Sequence, residues 1–508
     1  MSSQSEAPPH TQQLVLPLDD FASRAAGHGI PRTNRVFCNR NLKMSGISWV
    51  GFDMDYTLAI YDQPAMDDLS IRATIAKLIA RGYPDFIKTV PVSTQFPVRG
   101  LLIDKRFGHV LKMDRYKHVH KGYHGFRELT KEELRALYHS KKIRPATPRY
   151  HWIDTLYALS EVATYAALVD AMEKKGYAVD YARLFTDIRE CIDEAHRDGT
   201  ILDEVASNLP HFVHRDPNLA PALHKLRSAG KKLFLLTNSR KEYTEKMMTY
   251  LLGGAMTEYP TWRNFFDVVI VAATKPIFFT EKRPLHEREG EALKPASPPL
   301  ERGKIYEGGN LQDLERALGV TGDEILYVGD HIYGDILRSK KDSAWRTVMI
   351  MQELETEIQA YEACKDDFAT IEDLDGQRER LEDDLRYYQA RIKELTRQIE
   401  HRAEGKTNGT SASELEAERM RFKRAVERIR GKLRQIEAEV TALERRIDLR
   451  FHPYWGSLLK EGNEQSSFGK QVDDYACLYT SRVSNFLAYS PQQTFRSPRD
   501  VMAHEIGM

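Results

Sequence analysis

Four apolar, strand-like runs in this chain each stop at a cluster of chemically capable side chains. Residues 47–52 end at Asp53-Met54-Asp55-Tyr56-Thr57, and residues 233–236 end at Thr237-Asn238-Ser239. Residues 268–273 end at Thr274-Lys275-Pro276, and residues 325–328 at Gly329-Asp330, with Asp335 following. Short, continuously apolar runs of this kind suit strands buried on both faces, as a parallel sheet requires. The pattern predicts an α/β fold with a doubly wound, mainly parallel Rossmann-like sheet. Open sheets of that class bind ligands outside the carboxyl ends of their strands, which is where the polar clusters fall.

At 508 residues the chain can bury a large core and divide into two or three domains. Lys plus Arg and Asp plus Glu both number 74, so net charge gives no argument for a nucleic-acid or membrane partner. Cys38, Cys191, Cys364 and Cys477 are too scattered for a metal motif and read as structural, reduced thiols. No run approaches the roughly 18–20 apolar residues of a membrane helix, and residues 14–16 are too short for a signal-peptide core. A soluble, cytoplasmic protein is expected.

Polar residues 1–32 read as a flexible N-terminal arm. The core is expected from 33–68 and 205–365, interrupted by a cap, 69–204, that sets substrate specificity. About 180 residues separate the first two strand ends, far more than a crossover needs. Within the cap, 69–80 has helical spacing, 98–126 reads as a hairpin turning near Gly108, and 151–176 and 181–196 read as helices. Residues 370–450 carry apolar steps of three and four in two stretches, Leu381 to Ile399 and Phe422 to Ile447, which predicts an antiparallel coiled-coil hairpin. Its turn is expected at 405–410, followed by a capping box of Ser413 and Glu416. Interleaved acids and bases make its faces solvated surface, and its seam suits self-association or packing within the chain. The aromatic-rich tail, 451–508, should dock on the core or on a neighbouring subunit.

Taken singly, an acidic strand end is most often a solvated turn or a helix N-cap. Four in order supply the parts of a phosphoryl-transfer site. Asp53 can attack phosphorus and form an aspartyl-phosphate, and Asp55 can protonate the leaving oxygen and later deprotonate water. Thr237, Asn238 and Ser239, ahead of a helix N-terminus, can hold phosphoryl oxygens, and Lys275 adds a compensating charge. Asp330, the Asp53 carboxylate and the Asp55 carbonyl can ligate Mg²⁺, with Asp335 orienting the site or pairing with Lys275.

These motifs resemble those of the haloacid dehalogenase-like phosphatases. Longer stretches, 52–59, 237–239 with 243–244 and 248–251, and 327–341, closely resemble the cytosolic purine 5′-nucleotidases, and the likeness covers about 33–360 and 471–487. The resemblance implies hydrolysis of purine nucleoside 5′-monophosphates, IMP and GMP above others, in a homodimer or tetramer, with phosphotransfer to a nucleoside as a second activity. It places the base against Tyr157, Arg189, Asp193 and His196, and a nucleotide effector near Tyr333 and Lys341. Ala158, Arg197 and Leu202 depart from the family pattern at the base site. The rival expectations are a phosphatase of the same superfamily acting on another nucleotide or a sugar phosphate, and a coiled-coil assembly protein with a vestigial core.

Overall fold

A computed structural model describes residues 29–139, 143–290, 292–337, 343–403 and 411–498. Its central sheet has ten strands: β1 (Phe37–Cys38), β2 (Trp49–Phe52), β3 (Lys232–Leu236), β4 (Val268–Val271), β5 (Leu285–Glu289), β6 (Ala292–Pro295), β7 (Tyr306–Gly308), β8 (Ile325–Gly329), β9 (Arg346–Ile350) and β10 (Leu478–Thr480). They lie in the order β1-β10-β9-β8-β2-β3-β4-β7-β5-β6. From β10 to β7 all neighbours run parallel, and antiparallel pairing is confined to the two edges.

The four apolar runs become β2, β3, β4 and β8, nearly every residue of which is buried, so helices must cover both faces. After β2 the chain steps outward through β3, β4 and β7, then returns to lay β8 on the other side of β2. The carboxyl ends of β2 and β8 therefore flank a topological switch point, the place where such sheets open a crevice. Asp53 and Asp330 stand there.

Between β2 and β3 the chain builds helix α1 (Gln63–Ala80), a five-stranded antiparallel sheet, and helices α2 (Leu159–Lys174) and α3 (Tyr181–Arg197). Helix α1 begins six residues before the periodic stretch at 69, because the Asp62 side chain caps it and Pro64 fits its first turn. Gly108 sits in the expected hairpin turn, with φ +70°. The helix expected from 151 starts only at Leu159. Tyr150–Trp152 instead pairs with Leu102–Asp104 as a strand, since its alternating large aromatics suit a half-buried sheet edge.

Helices α5 (Lys365–Ala403) and α6 (Ala412–Phe451) follow the core. They pair antiparallel, with Asp367 of the first bound to Arg446 of the second, and Tyr388 beside Phe422 at 5.5 Å. The cap of α6 is a box of Ser411 and Glu414, not of Ser413 and Glu416. Ser411 holds the extended backbone an N-cap needs, while Ser413 is already helical. The expected turn at 405–410 and all but the last few residues of the expected arm lie outside the described residues.

From the tail, β10 enters the central sheet between β9 and β1. Among the described residues none of the four cysteines is joined to another by a disulfide. Among the described residues no helix is long and apolar enough to cross a membrane.

Candidate active site

Asp53 follows β2 directly, and its carboxylate is oriented from two sides. Its Oδ1 accepts from the Met54 N–H at 2.8 Å and lies 3.0 Å from Lys275 Nζ. Its Oδ2 has no hydrogen bond within the described residues. Asp55 turns elsewhere: its two oxygens accept from Tyr61 and Ser239 hydroxyls, each at 2.6 Å. Between Asp53 and Tyr61 the backbone turns tightly, with Tyr56 at φ +54° and its ring held by Tyr61 and Tyr157. A left-handed tyrosine is strained, and it persists here because the packed rings over-determine it.

Lys275 follows β4 and is buried. Its ammonium donates to Asp335 Oδ1 at 2.7 Å and to the Tyr327 hydroxyl at 2.9 Å, besides its contact with Asp53. Burial disfavours its charge, yet Asp335 and Asp53 outweigh that and hold it well above the ordinary lysine range. Asn238 clamps the Lys275 peptide, donating to its carbonyl at 3.0 Å and accepting from its N–H at 2.6 Å. The Asn238 side chain thus positions Lys275. Thr237 is fully buried, and its hydroxyl accepts from the Ser239 N–H, which fixes the turn into α4 (Lys241–Leu252).

Asp53, Asp330 and Asp335 bring carboxylate oxygens within 4.8 Å of one another. The Asp55 carboxylate is not part of that group, because Ser239 and Tyr61 hold it. Gly329 makes the approach feasible, since a Cβ there would lie 2.7 Å from Asp335 Cγ. Burial pushes the Asp330 carboxyl up to about 7, with Asp335 adding and Arg99 opposing. Burial likewise raises Asp53 well above the usual range, despite Lys275. Three buried carboxylates facing one lysine are a hard, oxygen-only donor set short of positive charge, which fits Mg²⁺.

Beside this cluster a cleft of about 790 Å³ opens, with Asp55 and Ser239 at one end and Tyr157, Asp193 and His196 in its wall. Tyr157 precedes α2 and meets His196 edge-on at 5.5 Å. Burial lowers the His196 imidazole, against Asp193. Arg197 and Leu202, which depart from the family pattern, line the same cleft. Arg189 does not. Its Nε lies 3.3 Å from the buried Glu161 carboxylate instead, an ion pair without hydrogen-bond alignment. Tyr333 is exposed, and Lys341 lies outside the described residues.

Several participants were not expected from the sequence. Arg99, fully buried, donates to the Asp330 main-chain carbonyl at 2.9 Å and grips Glu353 with two bonds of 2.7 Å. His331 meets Asp154 at 3.2 Å and so ties the loop after β8 to the segment that carries Tyr157. Only His331, inside the fourth motif, carried a sequence signal.

Asp67, on α1, supplies a test of these electrostatics away from the acidic cluster. Burial raises its carboxyl to about 7, although Gln63 donates to it at 2.9 Å. The folded chain therefore keeps a proton that the unfolded chain, with the usual 3.8, has released, so stability falls as pH rises from about 4 to about 7. Asp67→Asn is expected to match wild type near pH 4 and to exceed it by roughly 2–4 kcal/mol at pH 8, as read by denaturant titration with chelator present. Equal stability of the two proteins at pH 8 would refute the shift.

The family model for the 5′ nucleotidase family matches residues 36–507. A 5′-nucleotidase domain-containing protein of Dictyostelium discoideum is 27% identical over 92% of this chain and 74% of its own length. The human 5′-nucleotidase domain-containing protein 2 is 31% identical over 64% of each chain. Among solved structures, a predicted phosphoglycolate phosphatase from Haemophilus somnus 129pt is 15% identical over 60% of this chain and 86% of its own. Its TM-score of 0.26 is too low to bear weight.

Proposed function

The chain belongs to the 5′ nucleotidase family, and on that footing we propose that it hydrolyses purine nucleoside 5′-monophosphates, IMP and GMP above others, with Mg²⁺. The observation that carries this reading is a single cleft joining Asp55 and Ser239 to Tyr157, Asp193 and His196. Its volume of about 790 Å³ accommodates a nucleotide, and its aromatic wall suits a base.

Asp53 attacks phosphorus through Oδ2, since Met54 and Lys275 hold Oδ1. Lys275 offsets charge on the nucleophile and on the phosphoryl oxygens. Burial raises the Asp55 carboxyl, with Ser239 and Tyr61 opposing. It can then carry a proton to the leaving ribose oxygen and afterwards take one from water. Asp53, Asp330 and the Asp55 carbonyl, with Asp335 beside them, would hold Mg²⁺, which supplies further neutralisation of the phosphoryl charge. A nucleoside hydroxyl in place of water would turn the aspartyl-phosphate toward phosphotransfer. The same reading includes a cytoplasmic homo-oligomer, a specificity cap over the core, a paired-helix hairpin at its side and an effector site near Tyr333 and Lys341.

The test is phosphate release with Mg²⁺ from IMP, GMP, AMP, UMP, CMP and several sugar phosphates. The expected order puts IMP and GMP first, by at least about tenfold in kcat/KM over AMP. A sugar phosphate turned over faster than any nucleotide would sink the purine assignment and leave the chemistry standing.

A further inference from the structure

Among the described residues Arg99 is the only buried arginine. A buried cation is costly unless it is paired and hydrogen-bonded, and Arg99 meets that condition in a particular way. Its Nε and Nη2 each donate to one oxygen of Glu353 at 2.7 Å, a two-pronged grip that neutralises the charge. Nη1 is left over, and it donates to the Asp330 main-chain carbonyl at 2.9 Å. The ladder between β8 and β9 stops at Gly329, so the peptide after Asp330 lies beyond the pairing that orients the strand.

Arg99 is not part of the central sheet. It belongs to the insertion between β2 and β3, in the segment joining α1 to the strand Leu102–Asp104. Glu353 stands after β9, at the start of the helix Leu354–Ala363. The packing around Arg99 is close: Gly100 has φ +85°, a Cβ there would lie 2.4 Å from Phe468 Cβ, and the Phe468 ring lies 5.1 Å from the guanidinium. The Gly100 N–H donates to the Ile153 carbonyl at 2.6 Å, which ties this segment to Asp154, the partner of His331. Two successive residues after β8 are therefore held from one insertion, Asp330 by its carbonyl and His331 by its ring.

We infer that Arg99 is a positioning residue for the cation: it fixes the Asp330 peptide so that the Asp330 carboxylate meets those of Asp53 and Asp335, and it thereby sets the affinity of the site for Mg²⁺. The inference rests on the Mg²⁺ reading above and names a residue, far from all four strand ends in sequence, on which that site depends. The direction of a carbonyl fixes ψ at its own residue. Holding the Asp330 carbonyl thus removes a backbone freedom of a ligand before any cation arrives. Groups that orient metal ligands from outside are worth roughly tenfold to a hundredfold in affinity. A lysine cannot take over, because one ammonium cannot span both Glu353 oxygens and the carbonyl as a planar fork does.

The experiment titrates Mg²⁺ alone into the full chain, without substrate, by isothermal titration calorimetry. Wild type, Arg99→Lys and Arg99→Met are compared, the stoichiometry counts competent sites, and each thermal midpoint is recorded in chelator. Arg99→Met is expected to raise the Kd for Mg²⁺ by about tenfold to a hundredfold, and Arg99→Lys by a smaller factor of at least about threefold. Where Arg99→Met fails to fold, Arg99→Lys decides. Lower midpoints with a Kd within about twofold of wild type would make Arg99 a structural ion pair only, and would overturn the inference while leaving the metal site standing. A wild type that takes up no Mg²⁺ sinks the metal reading and this inference together.

Discussion

Asp53→Asn is expected to lower phosphate release from IMP by about four orders of magnitude while leaving the fold intact. The amide oxygen can still accept from the Met54 N–H and lie beside Lys275, so local geometry survives. The carboxylate nucleophile does not, because an amide cannot form a hydrolysable acyl phosphate on the same path. The Lys275 ammonium keeps Asp335 as a charged partner at 2.7 Å. One of three mutually repelling buried carboxylates is also removed, so the thermal midpoint should hold or rise. Lost turnover with an undiminished midpoint isolates chemistry from folding. A variant keeping more than about a tenth of wild-type turnover would move the nucleophile elsewhere.

The catalytic strand ends were legible because parallel core strands write themselves as unbroken apolar runs, and the groups at their carboxyl ends are their neighbours in sequence. Very short strands and exposed edge strands gave no such mark. Phe37–Cys38 and Leu478–Thr480 are two and three residues long, and Ala292–Pro295 is exposed throughout. Contacts made by topology were likewise invisible. Arg99 reaches the Asp330 carbonyl across 231 residues, and nothing around it in sequence points there. Arg189 shows the opposite limit: its spacing from Asp193 on one helix face was right, but spacing could not say that Glu161 of another helix would claim it. Gly108 marked its hairpin turn in the sequence, but Gly329 was informative only by contact. Gly329 reads as part of a strand end until Asp335 is found packed where its side chain would be.

Lys275→Met should be the most damaging single change to stability in the site, costing about 3–5 kcal/mol at pH 8 and abolishing turnover. Methionine nearly fills the space but donates nothing, so Asp53, Asp335 and the Tyr327 hydroxyl lose a shared partner at once. Arg99 cannot replace it, because its guanidinium is committed to Glu353 and the Asp330 carbonyl. The remaining compensation is proton uptake. With the cation gone, burial and mutual repulsion raise the Asp53 carboxyl further above its unfolded value. Groups raised in this way stabilise the fold at low pH and lose that contribution as pH rises through the folded value. The deficit of the variant should therefore shrink as pH is lowered from 8 to 5.5, opposite to the usual acid sensitivity of paired carboxylates. Mg²⁺ at neutral pH should shrink it as well, by binding the same oxygens. Denaturant titrations of both proteins at the two pH values, with Mg²⁺ or chelator, measure all three effects. A Lys275→Met protein as stable as wild type at pH 8 in chelator would mean that these carboxylates do not share one charged site, and the phosphoryl-transfer geometry would fall with it.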